Sequence, residues 1–265
     1  MQYAIMTDLE GPAGVERFSQ TRNYEPFYVV SMRQLTKEVN AAVAGIFDAD
    51  AEAVVHVVDG HGSGGIIKEE MDQRALYIRR DQPINIYEHW HTYHAFMYVG
   101  QHAMACTPNA PLAHTGSSKH IVYKRINGVC VGEFGIGAAK AGYHGVPTIF
   151  LSGDDKACAE ASTLIAGIFT VATKWGKGWQ KARHLSSDEA CRRIRQTIAE
   201  ACRSLTGPVA QRIKPLRFDP PYSYEVRYIR PTKAPQRPLP GVRVDQLDAY
   251  TVLYRADDLD LLPLI

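Results

Sequence analysis

The sequence predicts an α/β protein with a mixed, largely parallel central sheet flanked by helices and a smaller C-terminal α+β subdomain. Short apolar runs at Tyr3–Thr7, Ala53–Val58 and Thr148–Leu151 read as strands buried on both faces, as parallel strands are. Between them lie segments whose apolar residues recur every three to four positions, the period of helices covering such a sheet. From Thr206 onward proline becomes dense and the pattern turns to the alternation of a half-exposed strand, which sets the last third apart.

The elements follow in order. After the first strand, Val29, Met32, Leu35, Val39, Val43 and Ile46 give an amphipathic helix from Glu25 to Ala49. The run Ala53–Val58 then ends in Asp59-Gly60-His61-Gly62-Ser63-Gly64-Gly65, a flexible loop. A third strand is expected at Ala75–Arg79, and a fourth, Phe96–Val99, leads into Gly100-Gln101-His102. Ile121–Ile126 and Val129–Val131 flank Asn127-Gly128, a pair suited to a type I′ hairpin turn. Glu133 follows at once, and a small-residue helix from Ile136 to Tyr143 stops near Gly145 and Pro147. Ser152-Gly153-Asp154-Asp155 opens the helix after the next strand. Ser186–Leu205 is a helix with Ser186 and Glu189 as a capping box. Tyr222, Tyr224, Val226 and Tyr228 mark a strand, and Arg243–Leu262 a strand followed by a helix. A boundary between Thr170 and Ser186 divides the chain into a metal-binding catalytic domain, 1–175, and a smaller subdomain, 176–265.

Composition narrows the function classes. The chain has 265 residues, 45% hydrophobic and 22% charged, enough to bury a core. A formal charge of +2 with no long basic block argues against nucleic acid as a partner. Five cysteines without a CxxC pair suit reduced thiols better than a disulfide framework. No apolar stretch approaches the roughly 18 residues of a membrane helix. The N-terminus reaches Asp8 without the basic region of a signal peptide, so the expected location is the cytoplasm, with no membrane partner.

Asp8 and Glu10 hold the most chemistry. Residues two apart at a strand end point to one side, and two unpaired carboxylates in one small volume repel and resist desolvation. A cation removes that cost, although an Asp-x-Glu at a strand end also serves to cap a loop or pair with arginine. Other strands end in ligand-forming residues: His61 after the second and His102 after the fourth, with Glu133 at a strand-to-helix junction. Ligands of open α/β sheets gather at the carboxyl ends of strands. Carboxylates with imidazoles suit zinc, with manganese or cobalt as substitutes, and such a ligand set fits two adjacent ions better than one.

Asp8-Leu9-Glu10-Gly11, Asp59-Gly60-His61, Gly100-Gln101-His102-Ala103, Thr107-Pro108 with His114, Gly132-Glu133-Phe134-Gly135 and Ser152-Gly153-Asp154-Asp155 stand in the order and spacing of the DppA-type D-aminopeptidases. Over residues 3–175 the chain resembles this family, while the segment from His114 to Glu133 is slightly longer than the family pattern and the C-terminal third matches poorly. The resemblance implies a self-compartmentalising di-zinc peptidase, a homodecamer of two stacked five-membered rings. It implies release of an N-terminal D-amino acid from short peptides such as D-Ala-D-Ala. It also implies Asp8, Glu10, His61, His102 and Glu133 as zinc ligands, and His114 as the catalytic residue facing the metals. In the expected mechanism metal-activated water attacks while His114 moves a proton to the leaving amine or holds the oxyanion. Direct attack by the imidazole is the variant. A metal-dependent amidase for another small amide, a phosphoesterase, or a non-catalytic metal- or peptide-binding protein of dipeptide uptake are the rival readings.

Other residues mimic sites. His89, His91 and His94 have metal-like spacing but fit a surface or pocket-lining role better. The glycine loop lacks the Lys-Ser/Thr end of a phosphate loop. Asp59 either orients His61 or caps its loop, and Asp154-Asp155 fit the positive end of a helix. Ser117, Ser118 and Lys119 read as a solvated loop.

Overall fold

Strand β1 (Gln2–Thr7) lies inside a seven-stranded sheet in the computed structural model, which describes residues 1–79, 86–208, 212–235 and 237–264. Its neighbours are β2 (Val54–Asp59) and β4 (Ala95–Gln101), both parallel to it. Beyond β2 stands β3 (Leu76–Arg79); beyond β4 stand β7 (Thr148–Asp154), β8 (Phe169–Gly178) and β9 (Lys181–His184). Only the β8–β9 pairing is antiparallel. The chain builds outward from β1 to β3, then returns to the other side of β1 with β4. This reversal opens a crevice at the carboxyl ends of β1 and β4, where open α/β sheets bind ligands.

Helix α1 (Tyr28–Ala49) packs on α4 (Ser187–Ser204), so closely that a Cβ on Gly45 would lie 2.4 Å from the Arg195 carbonyl oxygen. Leu35, Val39, Val43 and Ile46 of α1 and Ile194 and Ile198 of α4 share a core with Ile5, Val57, Met97 and Phe150 of the sheet. Helix α2 (Glu133–Tyr143) packs on α3 (Asp155–Leu164). Among the described residues no helix is long and apolar enough to cross a membrane.

A second sheet, antiparallel throughout, has the order β11 (Arg243–Asp248), β12 (Thr251–Ala256), β10 (Tyr222–Tyr228), β5 (Ile121–Ile126) and β6 (Val129–Cys130). Its core includes Ile126, Tyr224, Val226, Val252 and Leu262. Helix α2 serves both cores: Phe134, Ala138 and Ala141 belong to the first, Ile136 and Ala139 to the second. The site is thereby framed by two sheets and the helix between them.

The expected central sheet and C-terminal subdomain are present, with three differences of detail. The tail forms the β11–β12 hairpin where a strand and helix are expected, because Val252, Tyr254 and Ala256 pack inward at a spacing of two. Only a short 3₁₀ turn, Leu259–Leu261, follows. Strand β8 runs across residues 175 and 176 and pairs with β9 in the larger sheet, and α4 belongs to the larger core, whereas β5 and β6 come from the middle of the chain into the second sheet. At α4, Ser186 accepts from the Glu189 amide, but Glu189 turns to Arg192 and Arg193 and does not complete the box.

Candidate metal centre

The chain leaves β1 by turning across the end of β4. The Asp8 amide donates to the Val99 carbonyl at 3.0 Å and the Gly11 amide to the Gly100 carbonyl at 2.7 Å. No side chain fits between them. A Cβ on Gly11 would lie 2.1 Å from the Gly100 carbonyl carbon, and one on Gly100 would lie 2.1 Å from the Asp8 carbonyl oxygen. Gly100 also has φ of +83°, in the left-handed region that glycine adopts freely. Buried Lys174 donates to the Glu10 and Val15 carbonyls. Buried Glu38 of α1 accepts from the Ala13 amide at 2.8 Å. Asp8 and Glu10 therefore project from a backbone anchored on both sides.

The other residues are set with comparable care. His61, in the loop after β2, is turned by the Thr21 carbonyl, 2.9 Å from its Nε2. His102, just past β4, has its Nδ1 on the Ala103 carbonyl at 2.9 Å. The Ala103 amide in turn donates to Asp154 at 2.8 Å. Glu133 opens α2, whose preceding Gly132 amide donates to buried Glu160 of α3 at 2.7 Å. Its own Oε1 accepts from the Gly116 amide at 2.7 Å. His114 has its Nδ1 on the Leu112 carbonyl at 2.8 Å and its ring 6.1 Å from that of Phe18. Leu112 is fully buried at φ 58°, a conformation that costs a branched residue energy and recurs at functional sites.

All six residues converge, in two adjoining groups: Asp8, Glu10 and His61, and His102, His114 and Glu133. His61 Nδ1 lies 3.2 Å from both Asp8 Oδ1 and Glu10 Oε2. His102 Nε2 lies 3.2 Å from Asp8 Oδ2 and 3.5 Å from Glu133 Oε1, which is 3.6 Å from His114 Nε2. The His102 and His114 rings stack at 3.9 Å. Asp8 thus offers one oxygen to each group.

The arrangement fits metal ions on its own chemistry. A neutral imidazole has a single N–H, yet each of the three histidines faces oxygen acceptors with both ring nitrogens. The backbone carbonyl claims the N–H, leaving a lone pair aimed at carboxylates. Buried Glu10 Oε2 and His102 Nε2 make no hydrogen bond despite these approaches. A cation between the lone pairs resolves both problems, and a histidine whose other nitrogen is fixed by a carbonyl is the usual form of a metal ligand.

Electrostatics point the same way. Burial alone disfavours charge on His61, but Glu10 and Asp8 outweigh it and raise its pKa to about 12. Burial likewise opposes a charged His102, and Asp8 and Glu133 carry it well above the ordinary histidine value. Glu133, against its own burial, is brought down to about 2 by His102, and Asp8 is held well below the usual carboxylate range by His102 and His61. Each shift expresses one demand: positive charge among these carboxylates.

The remaining sequence features are structural. Asp59 accepts from the Gly65 amide at 2.8 Å and from Tyr77 at 3.0 Å, so it caps the glycine loop and Thr21 orients His61. His89, His91 and His94 are exposed, whereas Trp90 and Tyr93 between them are buried. Asp154 caps α3 in addition to holding Ala103. Ser117 pairs with His120 within its loop. Lys174, Glu38 and Glu160, which hold the backbone of the site, escaped the sequence reading, as did Lys124, which reaches the wall of the cleft of about 740 Å³ that opens onto the metal centre. For Lys124 the signal was its place in β5, where it alternates with buried Ile126.

These observations describe a pocket built to hold two cations beside a histidine and an open cleft, an arrangement suited to metal-assisted hydrolysis. Known proteins agree. A solved structure described as the zinc-dependent D-aminopeptidase DppA from Bacillus subtilis, a self-compartmentalizing protease, superposes with a TM-score of 0.84 over 98% of this chain and 93% of that one. At 23% identity this establishes the shared fold. A D-aminopeptidase of Bacillus subtilis (strain 168) is 30% identical over 225 residues, 82% of this chain and 77% of the relative. The family model described as D-aminopeptidase matches residues 1–262, and the chain belongs to that family.

Proposed function

We propose that the protein is a di-zinc aminopeptidase that removes an N-terminal D-amino acid from short peptides. The single observation that carries this reading is the paired cluster around Asp8, with three histidines whose free lone pairs face carboxylates. Asp8, Glu10 and His61 would hold one ion, and Asp8, His102 and Glu133 the other, with Asp8 shared between them. Bound there, zinc supplies Lewis acidity, making a water more acidic and polarising the scissile carbonyl.

The chain's own residues supply the rest. His114 presents Nε2 beside Glu133 while its Nδ1 is occupied by the Leu112 carbonyl, so Nε2 is the atom that takes a proton from the attacking water and passes it to the leaving amine. Stacking on His102 and contact with Phe18 keep the ring in that orientation. Asp154 and Glu160 hold the backbone around His102 and Glu133. The relatives' descriptions support D-amino acid substrates, zinc and a self-compartmentalising assembly. We extend the last to a homodecamer. Five unpaired cysteines favour a reducing compartment, the cytoplasm.

The test is direct. Zinc-loaded protein is incubated with D-Ala-D-Ala and with L-Ala-L-Ala, and free alanine is measured before chelation, after it, and after zinc is returned. Release of D-alanine that disappears on chelation and returns with zinc is expected. Binding without cleavage, or full activity in protein verified as metal-free, overturns the reading.

A further inference from the structure

Strand β5 carries a charge on its inward face. Tyr123 and Arg125 point outward and share Glu225 of β10, at 2.6 and 3.4 Å. By alternation Lys124 and Ile126 point the other way, and Ile126 is fully buried. Lys124 stands opposite buried Val226 in register, with its Nζ 5.9 Å from the centre of the Tyr224 ring. The aliphatic stem is therefore enclosed, while the ammonium enters the wall of the cleft beside the metal centre.

The ammonium lies 3.1 Å from the position a Cβ on Gly116 would take, and the Gly116 amide is bonded to Glu133. Among the described residues no hydrogen bond or ion pair engages its Nζ. Glu133 is the carboxylate that acts on it, but His102, His114 and the Gly116 amide already surround that side chain. A partly desolvated cation without its own anion is costly unless a ligand brings one. The same cleft is lined by Met6, Val58, Tyr98 and Ile136, which suits a small apolar side chain.

We infer that Lys124 binds the free carboxylate of the leaving part of the substrate, so that the enzyme acts on short peptides ending just beyond the scissile bond. The inference rests on the peptidase reading above and specifies its substrate class. One residue spans about 3.5 Å of chain, so the terminal carboxylate of a dipeptide lies close to the bond that is cut. Its recognition group must therefore stand beside the metal centre, as Lys124 does through Gly116. A flexible point charge accepts a carboxylate in many orientations. A C-terminal amide is neutral and offers the ammonium a carbonyl oxygen at most, so the charge pairing is lost.

The test compares zinc-loaded full-length protein on D-Ala-D-Ala and on D-Ala-D-Ala amide, with the Lys124→Met variant beside the wild type. Zinc content and melting temperature are recorded for both proteins. The wild type is expected to favour the free acid at least tenfold in kcat/KM, chiefly through KM. In Lys124→Met that preference falls to near unity because KM for the acid rises. Equal use of acid and amide by the wild type overturns the inference and leaves the peptidase reading intact. So does a variant that loses kcat equally on both, which would place Lys124 at the oxyanion. Cleavage of neither substrate by the wild type overturns the peptidase reading and this inference with it.

Discussion

Asp8 and His114 occupy different places in the centre, and substitution separates them. Asp8 offers one oxygen to each group, so Asp8→Asn weakens both metal positions and brings the zinc content, counted by elemental analysis, well below two per chain. His114 turns its Nε2 to Glu133 and the cleft, away from Asp8 and Glu10. His114→Ala is expected to retain both ions while kcat falls by about 10²–10⁴, the scale of a lost proton-transfer group. Loss of an ion in that variant would make His114 a ligand in place of a proton carrier. The distinction matters because the ring stacks directly on His102, and proximity alone does not separate the two roles.

At the scale of elements, the ligand loop depends on α1 as much as on its own strand. Glu38 lies wholly inside the protein, accepts from the Ala13 amide and from Gln34, and keeps its second oxygen without a partner. Burial raises its carboxyl to about 7, against the pull of Lys174 and the bonds it accepts. A carboxyl raised in the folded state binds its proton more tightly there than in the unfolded chain. The resulting stability is complete below the ordinary glutamate pKa and is lost as pH rises through 7. Glu38→Gln removes this dependence. Between pH 5 and pH 8 the wild type should lose stability relative to the variant by up to about 3 kcal/mol. Urea denaturation at the two pH values measures it, and parallel behaviour of the two proteins would contradict it.

For the whole molecule, the two sheets and α2 enclose a cleft whose walls come from segments distant in the chain: β1, the loops after β2 and β4, β5 and the C-terminal Leu264. Such a cleft admits a short peptide more readily than a folded chain, as the proposed peptidase requires. Sedimentation equilibrium of the zinc-loaded protein is expected to give ten times the mass of the 29.5 kDa chain. A monomer across the micromolar range would remove the proposed decamer while leaving the chemistry of each subunit untouched.

Much of this was legible in the chain itself. Parallel strands buried on both faces announce themselves as apolar runs, and Asn127-Gly128 marked its hairpin because both residues must take positive φ. Asp8 with Glu10 declared a need for positive charge, since electrostatic cost depends on residue type and on the two-residue repeat of a strand. The tail misled because Val252, Tyr254 and Ala256 form too short a run to separate a strand from a helix before a partner strand is known. Lys124 was hidden by the same limit: alternation shows that it faces inward, but not that the inner face of β5 borders the cleft. The sequence by itself determined the strands and the carboxylates and imidazoles, of the types that bind metals, that stand at their ends. Only the tertiary structure decided that Asp8 turns one oxygen to His61 and the other to His102, that backbone carbonyls turn three histidine lone pairs inward, and that Lys124 stands beside them. Those are matters of distance between distant segments, set by how the two sheets pack around α2.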